Sequence, residues 1–304
     1  MKIAVTSKTL SNRAGFVKWL YQRFDEVRLN IVRDKLRDNS LIEFLDGCEC
    51  VVLGTEPFHR DIIFNTDLKI VFKYGVGIDN IDFKACEEKN LPVLYKQGTN
   101  SDAVSEIAIS YMIQLLRNQH ISFSSAKNYG WDKQTGKELA DAKIGILGFG
   151  HVGQKVYQKT KWIAPKADVK FNDINSSCKK YGDYVDVEEL FSRSDIITVH
   201  IDNGDLSNND FVCDKLISLM PDGAYLVNTA RGSIMDYKAL ERHLERLGGV
   251  ALDVYPNEPE IPEFLINSNK AILSCHICGS SETALMNGEE FIKESIIKYL
   301  EEKS

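Results

Sequence analysis

The stretch that most constrains this chain runs from Lys143 to Val156. A short apolar run, Lys143-Ile144-Gly145-Ile146-Leu147, ends in Gly148-Phe149-Gly150-His151-Val152-Gly153, and a helix-compatible segment follows. The first glycine permits a tight turn, the second lets backbone come close to a bound group, and the third lets helix pack on strand. The free N–H groups of a helix start favour negative charge at that point. Strand, glycine turn and helix in this order read as the pyrophosphate cradle of a dinucleotide. Gly-x-Gly-x-x-Gly alone also marks ordinary turns, so its context carries the weight. A second apolar run, Asp168-Val169-Lys170-Phe171-Asn172-Asp173, ends in an acid 20 residues after Gly153. An acid there binds the adenosine ribose hydroxyls of NAD and repels the 2′-phosphate of NADP; the bland alternative is a solvated strand-end carboxylate.

Around this unit, short apolar runs alternate with amphipathic stretches, the mark of an α/β chain with mostly parallel sheets. Strands are expected near 3–6, 27–31, 50–53, 70–73 and 93–95, and again near 169–171, 196–200, 224–228, 250–252 and 271–274. Helical spacing of apolar residues marks 102–116, and 281–302 is helical in pattern. The 304 residues suffice for two domains. The pattern gives two α/β units, and the unit that carries the glycine fingerprint is inserted into the other, which the terminal helix completes. No regulatory domain is expected after residue 304.

A net charge of −7 and the lack of a long basic block argue against nucleic acid or an anionic membrane as partner. The N-terminus reads as a first strand rather than a signal peptide, and no apolar run approaches the length of a membrane span. Seven scattered cysteines fit reduced thiols and a cytoplasmic protein. Cys275-His276-Ile277-Cys278 has Cys-x-x-Cys spacing, but no second pair completes a zinc site, so no metal is expected. A redox role for Cys275 and Cys278 stays open.

Three segments place ionisable groups just after strands, where doubly wound sheets bind ligands. Asn228-Thr229-Ala230-Arg231-Gly232 offers a guanidinium fork suited to a carboxylate and a neighbouring carbonyl. Asp253-Val254-Tyr255-Pro256-Asn257-Glu258-Pro259 puts two acids in a proline-pinned loop. Ser274-Cys275-His276 supplies an acid/base that titrates near neutral pH. Each residue alone has an ordinary structural reading. Together, Arg231 holding a substrate acid, His276 exchanging a proton and Glu258 orienting His276 suit hydride transfer between a nicotinamide and a 2-hydroxy or 2-keto acid.

With these segments in place the chain resembles the D-isomer-specific 2-hydroxyacid dehydrogenases, and within them the phosphoglycerate dehydrogenase branch. The resemblance covers nearly the whole chain. It runs through Gly54-Thr55-Glu56-Pro57, Lys73-Tyr74-Gly75-Val76-Gly77-Ile78-Asp79-Asn80-Ile81-Asp82, Asn100–Glu106, the glycine fingerprint, Asn228–Gly232, Leu252-Asp253-Val254 and Glu258-Pro259. It implies that Arg231, Glu258 and His276 are catalytic. It implies NAD contacts from Gly148, Gly150, His151, Val152, Gly153, Asp173, His200, Ile201, Thr229, Ala230, Arg231, Asp253, His276 and Gly279. It implies a doubly wound (Rossmann) NAD domain, 99–280, inserted into a smaller, discontinuous flavodoxin-like α/β substrate-binding domain, 1–98 with 281–304, substrate contacts from Lys73, Val76, Gly77 and Arg231, domain closure over the site, and a homodimer. The substrate it favours is 3-phosphoglycerate or 3-phosphohydroxypyruvate, with Lys8, Arg13, Arg60 and Lys73 as candidate phosphate cations. Hydroxypyruvate, glyoxylate or a specialised 2-keto acid are the alternatives, and an NADH-sensing protein without turnover is the alternative of another class. The chain departs from the family pattern in two places. Cys275 and Cys278 stand where the family has Pro before the catalytic His and Gly two after it. The segment 201–210 replaces a proline-containing stretch that in the family lies beside the cofactor.

Overall fold

A computed structural model describes residues 1–31, 35–203 and 207–303. The chain forms two compact α/β units, one of Met1–Asn100 with Glu282–Ser304 and one of Ser101–Ser281.

In the first unit five parallel strands lie in the order β2-β1-β3-β4-β5. They are β1 (Lys2–Val5), β2 (Glu26–Leu29), β3 (Cys50–Leu53), β4 (Ile70–Lys73) and β5 (Val93–Leu94). Successive strand side chains point to opposite faces, and both faces here are apolar. Ala4, Val51 and Val71 pack with Leu41, Phe58 and Ile62 on one face. Ile3, Val5, Val52 and Phe72 pack with Phe16, Leu20, Ile292 and Ile296 on the other. A sheet buried on both faces needs near-continuous apolar strands, which is why β3 reads Cys-Val-Val-Leu.

The second unit holds six parallel strands in the order β11-β10-β9-β8-β6-β7. These are β6 (Lys143–Leu147), β7 (Asp168–Asn172), β8 (Ile196–Val199), β9 (Tyr225–Asn228), β10 (Gly249–Leu252) and β11 (Ala271–Leu273). Ile144, Ile146, Val169 and Phe171 face the helix Ser101–Leu116 through Ala108, Met112 and Leu115. Leu147, Ile197, Val199 and Leu226 face the opposite layer. The strand order reverses between β6 and β8, since β7 is laid on one side of β6 and β8 to β11 on the other, so the crevice for a ligand opens at their carboxyl ends. Gly148 occupies that crevice: a Cβ there would lie 2.6 Å from the carbonyl carbon and oxygen of His200, the residue after β8.

The helix Gln119–Lys127, which no apolar periodicity marks in the sequence, buries none of its residues. A Cβ on Gly248 would meet Gly223 O at 2.4 Å, so bare backbone must pass there.

Candidate active site

The glycine fingerprint forms a backbone cradle. Gly148 has φ +93°, a region that side chains rarely adopt. A Cβ on Gly153 would lie 1.9 Å from Gly148 O, so the helix His151–Ile163 can start this close to β6 only with glycine there. Gly150 caps that helix without a side-chain hydrogen bond, and a Cβ on it would meet nothing within 4 Å. The first-turn N–H groups of His151 and Val152 have no acceptor within the helix, as an anion site requires. Phe149, between the glycines, stacks on Phe171 of β7 at 3.7 Å and holds the turn down. Asp173, just past β7, accepts the Phe149 N–H at 2.6 Å and the Asn175 N–H at 2.7 Å. Its half-buried carboxylate is therefore fixed beside the glycine turn. Open N–H groups and an acid beyond the second strand fit the pyrophosphate and ribose of NAD.

His200 follows β8 with Nε2 2.8 Å from Thr198 Oγ1 and Nδ1 3.4 Å from Thr229 Oγ1. Burial pushes its pKa down to about 3, so it is a neutral hydrogen-bonding group rather than an acid/base. Ile201 follows, half-buried and packed on the core below. The unusual segment after it is anchored by Asn203, a residue that no sequence motif singles out. Asn203 is buried, donates to Asn209 Oδ1 (2.8 Å) and Ser233 Oγ (2.7 Å), and accepts the Asn208 N–H (3.0 Å). Gly204, Asp205 and Leu206 lie outside the described residues.

The three ionisable segments converge at the carboxyl ends of β9, β10 and β11. Asn228, equally unmarked as a site residue in the sequence, shapes the first: its Nδ2 donates to Arg231 O (2.9 Å) and its Oδ1 accepts the Ala230 N–H (3.0 Å). This local loop turns Thr229, Ala230 and Arg231 out of the strand. Gly232 then packs directly on the second segment, since a Cβ there would be 2.0 Å from the carbonyl carbon and oxygen of Tyr255. The Tyr255 N–H holds Glu258 Oε1 at 3.1 Å, and Glu258 Oε2 lies 2.8 Å from His276 Nδ1. Arg231 is close enough for its charge to act on both Glu258 and His276.

The electrostatics follow from this geometry. The hydrogen bond to Glu258 raises the pKa of His276 above the ordinary histidine value, with burial and Arg231 opposing and the Glu258 charge assisting. Burial alone would raise Glu258; the hydrogen bond and charge of His276, the Tyr255 N–H and Arg231 together hold it below the usual carboxylate value. Nδ1 is committed to Glu258, so the exchangeable proton sits on Nε2.

Two of the expected contacts are buried and hydrogen-bonded within the protein. Asp253 is 1% exposed and its carboxylate accepts the N–H groups of Ile277 (2.8 Å) and Cys278 (2.9 Å), so it holds the His276 turn. Lys73 is 2% exposed and its ammonium donates to Gly54 O (2.7 Å) and Tyr74 O (2.9 Å), so it braces the ends of β3 and β4. Val76 and Gly77 are half-buried in the loop after β4, and Gly279 is half-buried just past the His276 turn. All seven cysteines are free; Cys275 is exposed and Cys278 buried.

A unit with this cradle and this acid/base pair defines a nicotinamide-dependent oxidoreductase. The model of the D-isomer specific 2-hydroxyacid dehydrogenase NAD binding domain matches residues 109–278, and the chain belongs to that family. Its cofactor is NAD, and the family acts on small hydroxy and keto acids. The chain is 29% identical over 281 residues to hydroxypyruvate reductase of Thermotoga maritima, covering 90% of this chain and 91% of that protein. It is 29% identical over 294 residues to D-3-phosphoglycerate dehydrogenase of Methanocaldococcus jannaschii, covering 90% of this chain but 53% of that protein. The solved structure of NAD-dependent formate dehydrogenase from Staphylococcus aureus in complex with NAD superposes with a TM-score of 0.85 at 26% identity, covering 100% of this chain and 97% of that one. No helix among the described residues is long and apolar enough to cross a membrane.

Proposed function

We propose that this protein interconverts a small unphosphorylated D-2-hydroxy acid, of the glycerate or glycolate kind, with its 2-keto acid. The observation that carries the reading is the His276 Nδ1–Glu258 Oε2 contact of 2.8 Å, beside the Arg231 loop and in the same unit as the dinucleotide cradle. NAD supplies or accepts the hydride when bound. In reduction, protonated His276 gives its Nε2 proton to the carbonyl oxygen as negative charge grows there, and Glu258 stabilises the imidazolium. In oxidation neutral His276 takes the hydroxyl proton. The Arg231 guanidinium suits the substrate carboxylate, and Val76 and Gly77 remain its candidate backbone donors on the family resemblance alone. Asp173 favours NAD over NADP.

The preference against a phosphorylated acid rests on the state of the cations. Arg13 is paired with Glu289, Arg60 with Glu88 at 2.5 Å, and Lys73 is buried on carbonyls. Among the described residues, Lys8 alone of the four candidates shows no side-chain partner. Exposed Phe123, Tyr129 and Trp131 support association of two copies through the second unit. Initial rates of NADH oxidation with hydroxypyruvate, glyoxylate and 3-phosphohydroxypyruvate test the reading under reducing conditions. Higher kcat/KM for an unphosphorylated acid supports it. A large preference for the phosphorylated acid overturns the substrate choice, and turnover of none with NADH still bound favours the sensor.

A further inference from the structure

We propose that Tyr111, Ser274 and Cys278 form, around buried Asp253, a positioning network that fixes the orientation of His276. The proposal rests on His276 being the acid/base.

His276 has φ +53°, a left-handed conformation that a side chain adopts only when its surroundings impose it. Asp253 imposes it. Its carbonyl accepts the His276 N–H at 2.8 Å, and its carboxylate accepts the next two N–H groups, those of Ile277 and Cys278. The Ser274 hydroxyl donates to Asp253 Oδ1. Tyr111 OH lies 2.5 Å from Ser274 Oγ. Because the serine has one proton and gives it to the carboxylate, Tyr111 must be the donor in that second contact. The order is therefore Tyr111 O–H to Ser274 O–H to Asp253. The Cys278 thiol lies beside both Asp253 and Tyr111, and with the Tyr111 proton on Ser274 its own single proton goes to the Asp253 carboxylate.

A carboxylate has about four acceptor positions. The two N–H groups, the serine hydroxyl and the thiol fill them. Asp253, Cys278 and Tyr111 are 1%, 3% and 6% exposed, so no solvent replaces a missing donor. A buried carboxylate short of a partner is costly, and the turn relaxes to find one. That movement would swing His276 relative to Glu258. The cysteine at 278 is thereby explained. Where the family pattern has glycine, this chain places a thiol whose one proton serves buried Asp253.

The test uses Y111F, C278A and C278S in the full-length protein. The readouts are steady-state rates with NADH and hydroxypyruvate, thermal unfolding, and the NMR titration of the His276 ring without substrate. Y111F and C278A should each lower kcat about 3- to 10-fold, leave KM for the keto acid and the Kd for NADH little changed, and displace the His276 titration. C278S, which keeps a donor, should behave as wild type, and the Y111F/C278A double variant should lose less than the product of the two. Wild-type kcat and an undisplaced His276 titration in both Y111F and C278A overturn the proposal; a lower Tm with those two unchanged means structural support only and overturns it equally. Full activity in H276Q would instead sink the acid/base assignment, and the ring titration still tests the network.

Discussion

Gly232 is the contact on which the site's assembly depends, and G232A tests it. A Cβ at this position would sit 2.0 Å from both the carbonyl carbon and oxygen of Tyr255 and 2.7 Å from Pro256 N, where ordinary contacts begin at 3.4 Å. All three neighbours are backbone, so no flexible side chain can yield. The loops after β9 and β10 must separate by about 1.4 Å, the difference between 3.4 and 2.0 Å. One loop carries Arg231, tied to Asn228 through its carbonyl; the other carries Glu258, tied to the Tyr255 N–H. Whichever moves, the guanidinium is displaced from the Glu258–His276 pair. A misplacement of about 1 Å costs about 100-fold in rate, while overpacking costs about 1–3 kcal/mol of stability. G232A should therefore remain folded with a lowered Tm, bind NADH, and lose about two orders of magnitude in kcat/KM for its best 2-keto acid. Wild-type kcat/KM in a folded G232A protein would refute the claim that this packing registers Arg231 against the pair.

Further outcomes follow from the same geometry. Because Glu258 raises the His276 pKa, reduction should fall as pH rises through that raised value, and oxidation should fall as pH drops below it. E258Q should move both limbs to lower pH, and limbs unmoved in pH–rate profiles would remove Glu258 from this role. D173N removes the charge facing a 2′-phosphate and should improve kcat/KM with NADPH relative to NADH by about 10-fold or more; an unchanged ratio would leave Asp173 a turn-holding residue only. Burial raises the Cys278 thiol pKa, whereas Cys275 is exposed, so iodoacetamide at mildly alkaline pH should label Cys275 well before Cys278. Peptide mass mapping that finds Cys278 modified first would contradict the buried network.

What could be read in the sequence was set by local physics. Gly148 and Gly153 stand out because no other residue fits a φ of +93° or a 1.9 Å approach, and both demands come from residues close in the chain. Strands such as β3 and β8 stand out because a doubly covered sheet leaves little room for polar side chains. His276 and Glu258 are legible as types at strand ends, though nothing in the spacing gives their 2.8 Å contact. Tyr111 is hidden because it occupies one more apolar position on a core helix; its hydroxyl gains a partner only where β11 ends beside it. Lys73, Arg13 and Arg60 read as available cations because sequence does not show which carbonyl or carboxylate lies opposite each. Asp253 reads as a cofactor contact for the same reason: its partners are the N–H groups of a turn more than twenty residues away.

The central claim is that His276 exchanges the proton that accompanies hydride transfer. Its most direct test is H276Q, assayed for NADH oxidation with the best 2-keto acid alongside NADH binding by fluorescence. The expected result is a loss in kcat of about 100- to 10,000-fold with the Kd for NADH nearly unchanged. An H276Q protein that turns over at close to the wild-type rate would contradict the claim.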